Sequence, residues 1–585
     1  MRLARNLAAA VIACMAACSS THTQPDADAG TLPSARGPAG IYAYVVVEDY
    51  MARPADQSQS NVDAYLSGIY ASLLANPAVA GLDMRVHWAT LNPEDPATSS
   101  PYAWDSLDLA FAAVAQWNAD NPTARPKNIH LNLIPGFESP AWLFDHMTSC
   151  DPPVVPTTPF VPPGPASPSG AQPCDYSYFL ETEGVAPPYA SRPLPMPWSP
   201  TYVAYWRGFL GAVAARYGKN PTFVSIAIGG PTASSTEMIM PHDANIDPST
   251  MKAPYATQWQ SDLVHWNYLF ATHDAQNPDY QNSDQAFIDG WIAAVDMYGA
   301  VFDDVTLVAT TGDGLPDFSA SSSTIPSALQ PACTDPDMDC AAQATILAHF
   351  LDPTVDVNDA KAVEEEGFGA MDAYVDIDFD GAVVKWLAKA TGGANPTLGG
   401  APVSPVLGGL EEGTSFSVRE MAMGCLKTAE CPDAEAPSER CVEPCSASSC
   451  PVTLDCTQPD SGAAPSAEQT LYNMLQAYFD RTPYGDAFGM TLDTAHLNFF
   501  QLYAPDIFFA QGMEGCTSTN FVDQQNDAGA DAGLTACTLP NPGSTIVTAS
   551  GVVFSTDQQL LEQAESLLVQ MASTPRRQSA LDGGE

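Results

Sequence analysis

The chain has 585 residues, of which 45% are hydrophobic, so it is long enough to bury a large core. Its 68 acidic residues against 21 Lys and Arg give a formal net charge of −47. Such a charge repels phosphate backbones and argues against nucleic acid as a partner. The aromatic content of 9% excludes a chain that is mostly disordered.

The N terminus has the pattern of an export signal. Arg2 and Arg5 precede the apolar run Leu7–Ala17, which is too short for a permanent membrane span. Small residues then lead to Cys18, an arrangement that resembles a lipoprotein cleavage site. We therefore predict a signal peptide over residues 1–18, lipidation of Cys18, and a membrane-anchored lipoprotein of the cell envelope, on the periplasmic side or at the cell surface. An ordinary cleaved signal is the alternative, and it also implies export.

The central part of the chain has the pattern of a single α/β domain. Residues 19–39 are rich in small and polar residues and predict a flexible linker, and residues 576–585 predict a disordered tail. Between them, residues 40–575 alternate apolar strand-like runs with helical patterns, which is typical of βα units around a parallel sheet. The strand candidates are Gly40–Val47, Gly81–Trp88, Asn128–Pro135, Thr222–Gly229, Val305–Thr311, Val403–Leu410 and Leu497–Tyr503.

Seven strands are clear, and an eighth closes a (β/α)8 TIM barrel. We predict the missing strand, sixth along the chain, at Ala373–Phe379. The best-marked helix follows Ser199-Pro200, a pair typical of a helix start, and ends at Gly218. Long insertions at about 146–198, 413–465 and 512–548 follow strands, so they are predicted on the loop face that carries active sites in barrels.

The cysteines predict disulfides in these insertions. With Cys14 and Cys18 assigned to the leader, 12 of the 14 cysteines remain, and they fall into local clusters with even numbers. Six lie between Cys425 and Cys456, where 15 pairings are open. That cluster contains no His and has irregular spacing, which argues against zinc. The other clusters are Cys150/Cys174, Cys333/Cys340 and Cys516/Cys537.

Four motifs, in their order along the chain, resemble retaining glycoside hydrolases of the β-galactosidase and cellulase type. They are Met84–Trp88, Pro93–Leu107 with its Tyr-Ala-Trp-Asp, Ile134–Leu143, and Trp206–Tyr217 followed by Asn-Pro. The resemblance covers roughly residues 40–240. It implies a (β/α)8 barrel that hydrolyses O-glycosidic bonds with two carboxyl groups.

By this resemblance, Glu237 beyond the fourth strand is the general acid/base. The family usually has Asn before this Glu, where this chain has Thr236, and a Glu after a Gly-Pro turn also occurs in β-amylases. The alternative is an exposed loop carboxylate. The seventh strand ends in Glu411-Glu412, of which only one can face the site because adjacent strand residues point to opposite faces. We choose Glu411 as the nucleophile over Glu412, and a solvated acidic pair is the alternative.

Further polar and aromatic residues are predicted to bind substrate. An arginine can hold the charge of the nucleophile, histidines and carboxylates can bond sugar hydroxyls, and aromatic rings can stack on pyranose faces. For each histidine and aromatic residue, a structural role is the alternative. The predicted substrate-binding residues are Arg85, His87, Trp88, His130, Glu138, Trp142, Glu412 and Tyr503.

No cofactor or metal is predicted. The run Asp376–Gly381 matches the start of a calcium loop, but its twelfth position is Leu387, and the run also fits a strand. Nucleotide-binding and G-x-S-x-G motifs are absent from the sequence. The predicted function is hydrolysis of an extracellular oligo- or polysaccharide, with membrane contact through the lipid anchor only. A non-catalytic glycan-binding or adhesion lipoprotein on the same barrel is the alternative.

Overall fold

The computed structural model describes residues 37–54, 56–150, 174–181, 190–242, 262–273, 285–311, 315, 340–350, 352, 361–369, 397–398, 401–402, 407–414, 426–429, 441–444, 497–504, 507–508, 546–547, 553–554, 561–562, 565–566 and 568–569. For residues 361–444 and 546–554 of this set it describes the backbone alone. Cys18, the predicted tail and the run Asp376–Gly381 lie outside the described residues.

Eight parallel strands form a closed barrel, and each strand pairs with the next along the chain. The first and last strands close the sheet, with Gly40 paired to Phe499 and Tyr44 to Tyr503. This confirms the predicted (β/α)8 fold. The barrel strands are β1 (Gly40–Val46), β2 (Val79–His87), β3 (Asn128–Ile134), β4 (Phe223–Ala227), β5 (Thr306–Thr311), β6 (Lys361–Gly369), β7 (Leu407–Thr414) and β8 (Leu497–Tyr503).

Helices follow the strands on the outside of the barrel. The helix after Ser199 begins as predicted, because the Ser199 Oγ accepts a hydrogen bond from the Tyr202 N–H at 3.1 Å and proline occupies the first position. Within the described part of the chain, none of the helices combines the length and apolarity that a membrane span needs. The helices are α1 (Val47–Met51), α2 (Gln59–Ala75), α3 (Trp88–Leu91), α4 (Asp105–Asp120), α5 (Ala141–Asp145), α6 (Pro200–Tyr217), α7 (Asp262–His273), α8 (Gln285–Val301) and α9 (Cys340–Phe350).

The sixth strand differs from the prediction. It lies at Lys361–Gly369 rather than at Ala373–Phe379, so that assignment was wrong. Its register pairs Glu364 with Thr310 of β5 and with Gly409 of β7. The three consecutive glutamates in this strand interrupt the apolar run by which buried parallel strands are usually found. The strand was therefore placed in a later segment with a clearer apolar pattern.

The core has an inner and an outer part. Inside the barrel, five apolar side chains from five different strands form one cluster: Tyr42, Ala80, Val224, Val308 and Phe499. A larger cluster fills the space between the strands and the helices. These two clusters account for the barrel and for the ring of helices around it.

The insertion after β3 contains a two-stranded antiparallel hairpin, Tyr176–Glu181 with Ala190–Pro195, which we call the rim hairpin. A disulfide between Cys150 and Cys174 joins its base to the end of the preceding segment, as predicted. The other predicted cysteine pairs lie outside the residues whose side chains are described. Three shorter antiparallel pairs are Thr397–Leu398 with Ala401–Pro402, Leu426–Ala429 with Cys441–Pro444, and Ile546–Val547 with Val553–Phe554.

The start of β1 is tied to the C-terminal part of the chain through Glu565. One carboxylate oxygen accepts a hydrogen bond from the Ile41 N–H at 2.5 Å, and the other pairs with Arg125 Nη1 at 2.6 Å. Arg125 Nη2 also donates to the carbonyl of Ala39 at 2.6 Å. Burial raises the pKa of Glu565 to about 7, and the opposing effect of Arg125 is smaller.

Replacing this carboxylate should change how stability depends on pH. Because the pKa of Glu565 is higher in the folded protein than its ordinary value of 4.5, the folded state holds this proton more tightly. The contribution of Glu565 to the free energy of unfolding therefore falls as pH rises from about 4.5 to 7. We expect Glu565→Gln to flatten this part of the profile in urea denaturation. The exposed neighbour variant Glu562→Gln should keep the wild-type slope, and an equal slope in both variants would contradict the assignment.

Candidate functional site

Glu237 lies at the mouth of the barrel formed by the carboxyl ends of the strands. The chain leaves β4 at Ala227 and returns to the sheet ten residues later, where Glu237 forms an isolated parallel bridge with Thr310 of β5. The residue is only 6% exposed. Glu237 is therefore not the exposed loop carboxylate that was its alternative interpretation.

The Glu237 loop, residues 231–240, is anchored to the segment that follows β3. The Phe137 N–H donates to the carbonyl of Ala233 at 2.6 Å. Gly136 has a φ of 67°, in the left-handed region that favours glycine. A Cβ at this position would lie 2.1 Å from the Ala233 carbonyl oxygen. Glycine at position 136 thus allows the two loops to approach closely.

A layer of buried polar side chains lies beside this loop inside the barrel. Asn132 Nδ2 lies 3.1 Å from both carboxylate oxygens of Asp83 and 3.4 Å from Gln501 Oε1. The Thr236 hydroxyl donates to Asn132 Oδ1 at 2.9 Å. Asp83 and Asn132 are fully buried, and Gln501 and Thr236 nearly so. The layer connects β2, β3 and β8 to the residue that precedes Glu237.

Arg85 also holds the Glu237 loop. Its Nη2 donates to the carbonyl of Ser234 at 2.7 Å. The described contact fixes the backbone near the acid/base candidate, and the predicted stabilisation of the ionised nucleophile by Arg85 stays a prediction. Glu237 itself is further restrained because its N–H donates to Ser235 Oγ at 3.2 Å.

A network of charged side chains lies at the rim of the barrel. His87 Nδ1 lies 3.0 Å from Glu138 Oε2, and its other ring nitrogen lies 3.8 Å from Glu48. Arg192 of the rim hairpin pairs with Glu138 at 2.6 Å and with Glu181 at 2.5 Å. The predicted substrate-binding residues His87 and Glu138 are thus brought together, and a cation from the disulfide-linked insertion joins them.

This network keeps Glu138 ionised. Burial by itself raises the pKa of its carboxyl, but the hydrogen bonds and charges of His87 and Arg192 outweigh burial and lower the pKa to about 2. Arg192 Nη2 also donates to the carbonyl of Phe137 at 2.5 Å. The rim therefore presents a fixed carboxylate and a fixed guanidinium beside the mouth.

His130 lies inside the barrel, below the mouth where sugar hydroxyls would bind. It is 1% exposed, and its Nδ1 lies 2.7 Å from Ser225 Oγ. Burial lowers its pKa to about 3, so the ring is neutral at physiological pH. The burial and the contact with Ser225 favour the structural alternative for His130 over the predicted substrate contact.

Two of the predicted aromatic platforms are packing residues. Trp88 has no exposed surface and packs on Trp206, with ring centroids 4.9 Å apart, which favours its structural alternative over the predicted contact with sugar. The Trp142 ring packs against Trp88, and its Nε1 donates to the carbonyl of Asn92 at 2.8 Å. These residues belong to the packing between barrel and helices.

Tyr503 lies at the mouth, at the end of β8. Its ring contacts that of Tyr44 edge to face, with centroids 4.8 Å apart, and its side chain is half-buried. Of the predicted aromatic platforms it is the one that occupies the carboxyl end of a barrel strand.

Glu411 and Glu412 both lie near the carboxyl end of β7. The register pairs Glu411 with Gln501 of β8 and Glu412 with Phe368 of β6. Their side chains lie outside the described part of the molecule. The nucleophile therefore stays a prediction, with its backbone at the same mouth as Glu237.

Sequence reasoning missed several residues of this site: Asp83, Asn132, Gln501 and Arg192. A signal was present for Asp83 and Asn132. Asp83 and Arg85 alternate along β2, and His130 and Asn132 along β3, as side chains of one strand face do. Polar residues at every second position of a strand that is otherwise apolar indicate a polar barrel interior. No comparable signal marked Arg192, because its position depends on the path of a long insertion.

Comparison with protein-family models finds no match, and comparison with curated protein sequences finds none. Solved structures give distant similarities. A β-galactosidase from Bacillus circulans sp. alkalophilus has 13% identity and a TM-score of 0.27, over 61% of this chain and 42% of that protein. Endo-glycoceramidase II from Rhodococcus sp. has 12% identity and a TM-score of 0.28, over 65% and 67%. The catalytic domain of a Paenibacillus polymyxa β-amylase has 9% identity and a TM-score of 0.31, over 80% and 94%.

This chain thus spans less than half the length of the β-galactosidase. At these identities and TM-scores, the similarities carry no argument about activity. The barrel is established by its own strand pairing.

Removing the rim cation should destabilise the protein more than removing an exposed one. Arg192→Gln leaves Glu138 and Glu181 close together and largely buried, with side-chain exposures of 13% each. We expect a loss of about 2–3 kcal/mol in the free energy of unfolding at pH 7. The loss should shrink as pH falls from about 4.5 towards 2, where Glu138 becomes protonated.

Arg216→Gln is the matched control for Arg192→Gln. It removes an ion pair with Asp108 in which both side chains are more than 40% exposed, so we expect a loss below about 1 kcal/mol. Equal losses in the two variants, measured by urea denaturation, would argue against a buried rim network.

Proposed function

We propose that this chain hydrolyses O-glycosidic bonds of an extracellular oligo- or polysaccharide by a retaining mechanism with two carboxyl groups. In this mechanism Glu237 is the general acid/base and Glu411 the nucleophile. A glycosidase needs both groups at one mouth, one protonated to donate to the leaving oxygen and the other ionised to attack the sugar.

The observation that carries the proposal is the convergence of distant sequence motifs on the Glu237 loop. The segment Met84–Trp88 contributes Arg85, which bonds Ser234. The segment Ile134–Leu143 contributes Phe137, which bonds Ala233. The motifs that resemble retaining glycoside hydrolases thus contact the loop that carries the buried candidate acid.

The roles follow from the chemistry of a retaining glycosidase. Glu237 donates its proton to the glycosidic oxygen as that bond breaks, and the Glu411 carboxylate forms a bond to the anomeric carbon. Water then attacks the same carbon, Glu237 takes its proton, and the bond to Glu411 breaks. The register supports Glu411 over Glu412, since Glu411 pairs with Gln501 of the polar layer.

The charges around the mouth favour a neutral glycan. The rim network contains three carboxylates, Glu48, Glu138 and Glu181, against one arginine, Arg192. The chain as a whole carries a formal net charge of −47. Both the local and the overall charge disfavour a polyanionic substrate, while carboxylates and an arginine can accept from and donate to sugar hydroxyls.

Substitution of the acid/base candidate tests the mechanism. We expect Glu237→Gln to lower hydrolysis of glycosides with poor leaving groups by at least about a thousandfold, because the leaving oxygen then receives no proton. Azide should restore turnover of an activated aryl glycoside by Glu237→Ala and give a glycosyl azide of retained configuration. Glu411→Gln should lose activity on all substrates.

The exposed carboxylate variant Glu94→Gln should behave as wild type in the same assays. Equal turnover by wild type and Glu237→Gln would remove Glu237 from the mechanism. Saturable binding of a glycan by wild type without any hydrolysis would instead support the alternative, a glycan-binding lipoprotein. The substitution of Thr236 for the usual Asn before the acid/base favours that alternative.

We further propose that the protein is exported and anchored by a lipid on Cys18. The charged start, the short apolar run and the small residues before Cys18 support this proposal. In a bacterial host, the full-length protein should incorporate labelled palmitate and remain with the membrane fraction. Cys18→Ser should abolish the labelling. Labelling of both forms would show that the lipid is not on Cys18, and labelling of neither would leave an ordinary cleaved signal as the better interpretation.

A further inference from the structure

The polar layer inside the barrel has a defined hydrogen-bond direction. Asp83 is the acidic member, and both of its carboxyl oxygens face Asn132 Nδ2 at 3.1 Å. Because carboxylate oxygens accept and an amide nitrogen donates, Asp83 fixes which way the Asn132 amide is turned. The amide oxygen of Asn132 is then left to accept from the Thr236 hydroxyl at 2.9 Å.

This directed chain ends at the residue next to Glu237. From these hydrogen bonds we infer that Asp83 and Asn132 are positioning residues. Through Thr236 they fix the position of the Glu237 carboxyl group. The inference rests on the proposed function of Glu237 as acid/base. It gives the Thr236 hydroxyl a specific role, as the donor to the Asn132 amide oxygen.

The composition of the barrel interior supports a functional reason for the layer. The neighbouring inner cluster is apolar, with side chains such as Tyr42, Val224 and Phe499. Apolar residues could fill the next layer too, and a buried carboxylate costs several kcal/mol unless it is well bonded. A layer with a buried carboxyl group placed directly beside the Glu237 loop is consistent with a role in positioning.

Thr236→Val is the most direct test, because valine has nearly the shape of threonine and lacks the hydroxyl. A misplaced acid should matter most where the leaving group needs a proton. We expect kcat/KM, which reports the bond-breaking first step, to fall by about 10- to 100-fold for aryl glycosides with weakly acidic phenols. For a dinitrophenyl glycoside, whose leaving group needs no proton, we expect kcat/KM to fall by less than about threefold.

Two further variants separate positioning from general damage. Thr236→Ser keeps the hydroxyl and should restore wild-type dependence on the leaving group. Asp83→Asn replaces one acceptor oxygen of the carboxyl group that orients Asn132 and should reproduce the Thr236→Val pattern. The melting temperature of each variant is compared with that of Thr236→Ser to check that it is folded. An equal loss across all leaving groups, or no loss in Thr236→Val, would overturn the inference while leaving the glycosidase proposal intact.

Hydrogen exchange gives a readout that does not need turnover. If Thr236 ties the loop to Asn132, amide exchange of residues 232–240 should accelerate in Thr236→Val and not in Thr236→Ser. Unchanged exchange in Thr236→Val would count against the inference even in a protein without activity. Faster exchange in Thr236→Val, together with a wild-type protein that hydrolyses no glycoside, would support the anchoring contact and reject the proposed function.

Discussion

Closure of the sheet between β1 and β8 is the constraint on which the candidate site depends. Asn132 and Gln501 are 369 positions apart in the chain, yet their side chains lie 3.4 Å from each other. That contact is possible because β8 pairs with β1, which pairs with β2, which pairs with β3. The closed barrel also gathers the carboxyl ends of all eight strands around one mouth. Residues from the first and last thirds of the chain thereby share a single site.

Much of the fold could be predicted because buried parallel strands are short runs of mostly apolar residues. The segments of β3 and β8 were located within a residue for this reason. The same rule failed at Lys361–Gly369, where glutamates break the apolar pattern, and it placed the start of β7 four residues early. Strand pairing determines such segments, and pairing is a contact over long sequence distances that local composition does not encode.

The candidate site was predicted in part, and the errors have one physical origin. Glu237 was found from its position after β4, and Arg85 from its strand. Trp88 was given a sugar contact because tryptophan serves both stacking and packing, and the sequence does not say which side of the barrel wall it occupies. Arg192 was missed because its partners are set by the path of an insertion. Solvent exposure and loop path are properties of the folded chain, and both determine which side chains reach the mouth of the barrel.

The position of Glu237 ten residues past β4 presents a problem of precision. A residue on a long connection has more freedom than one on a strand, and loss of geometry by about 1 Å can cost a hundredfold in rate. In this protein the freedom is removed by separate contacts along the loop, at Ala233, Ser234, Thr236 and the Glu237 bridge to Thr310. Each contact leads to a different strand or to the segment after β3. A loop held in this way acquires the rigidity of the sheet beneath it, so an acid on a loop can be placed as firmly as one on a strand.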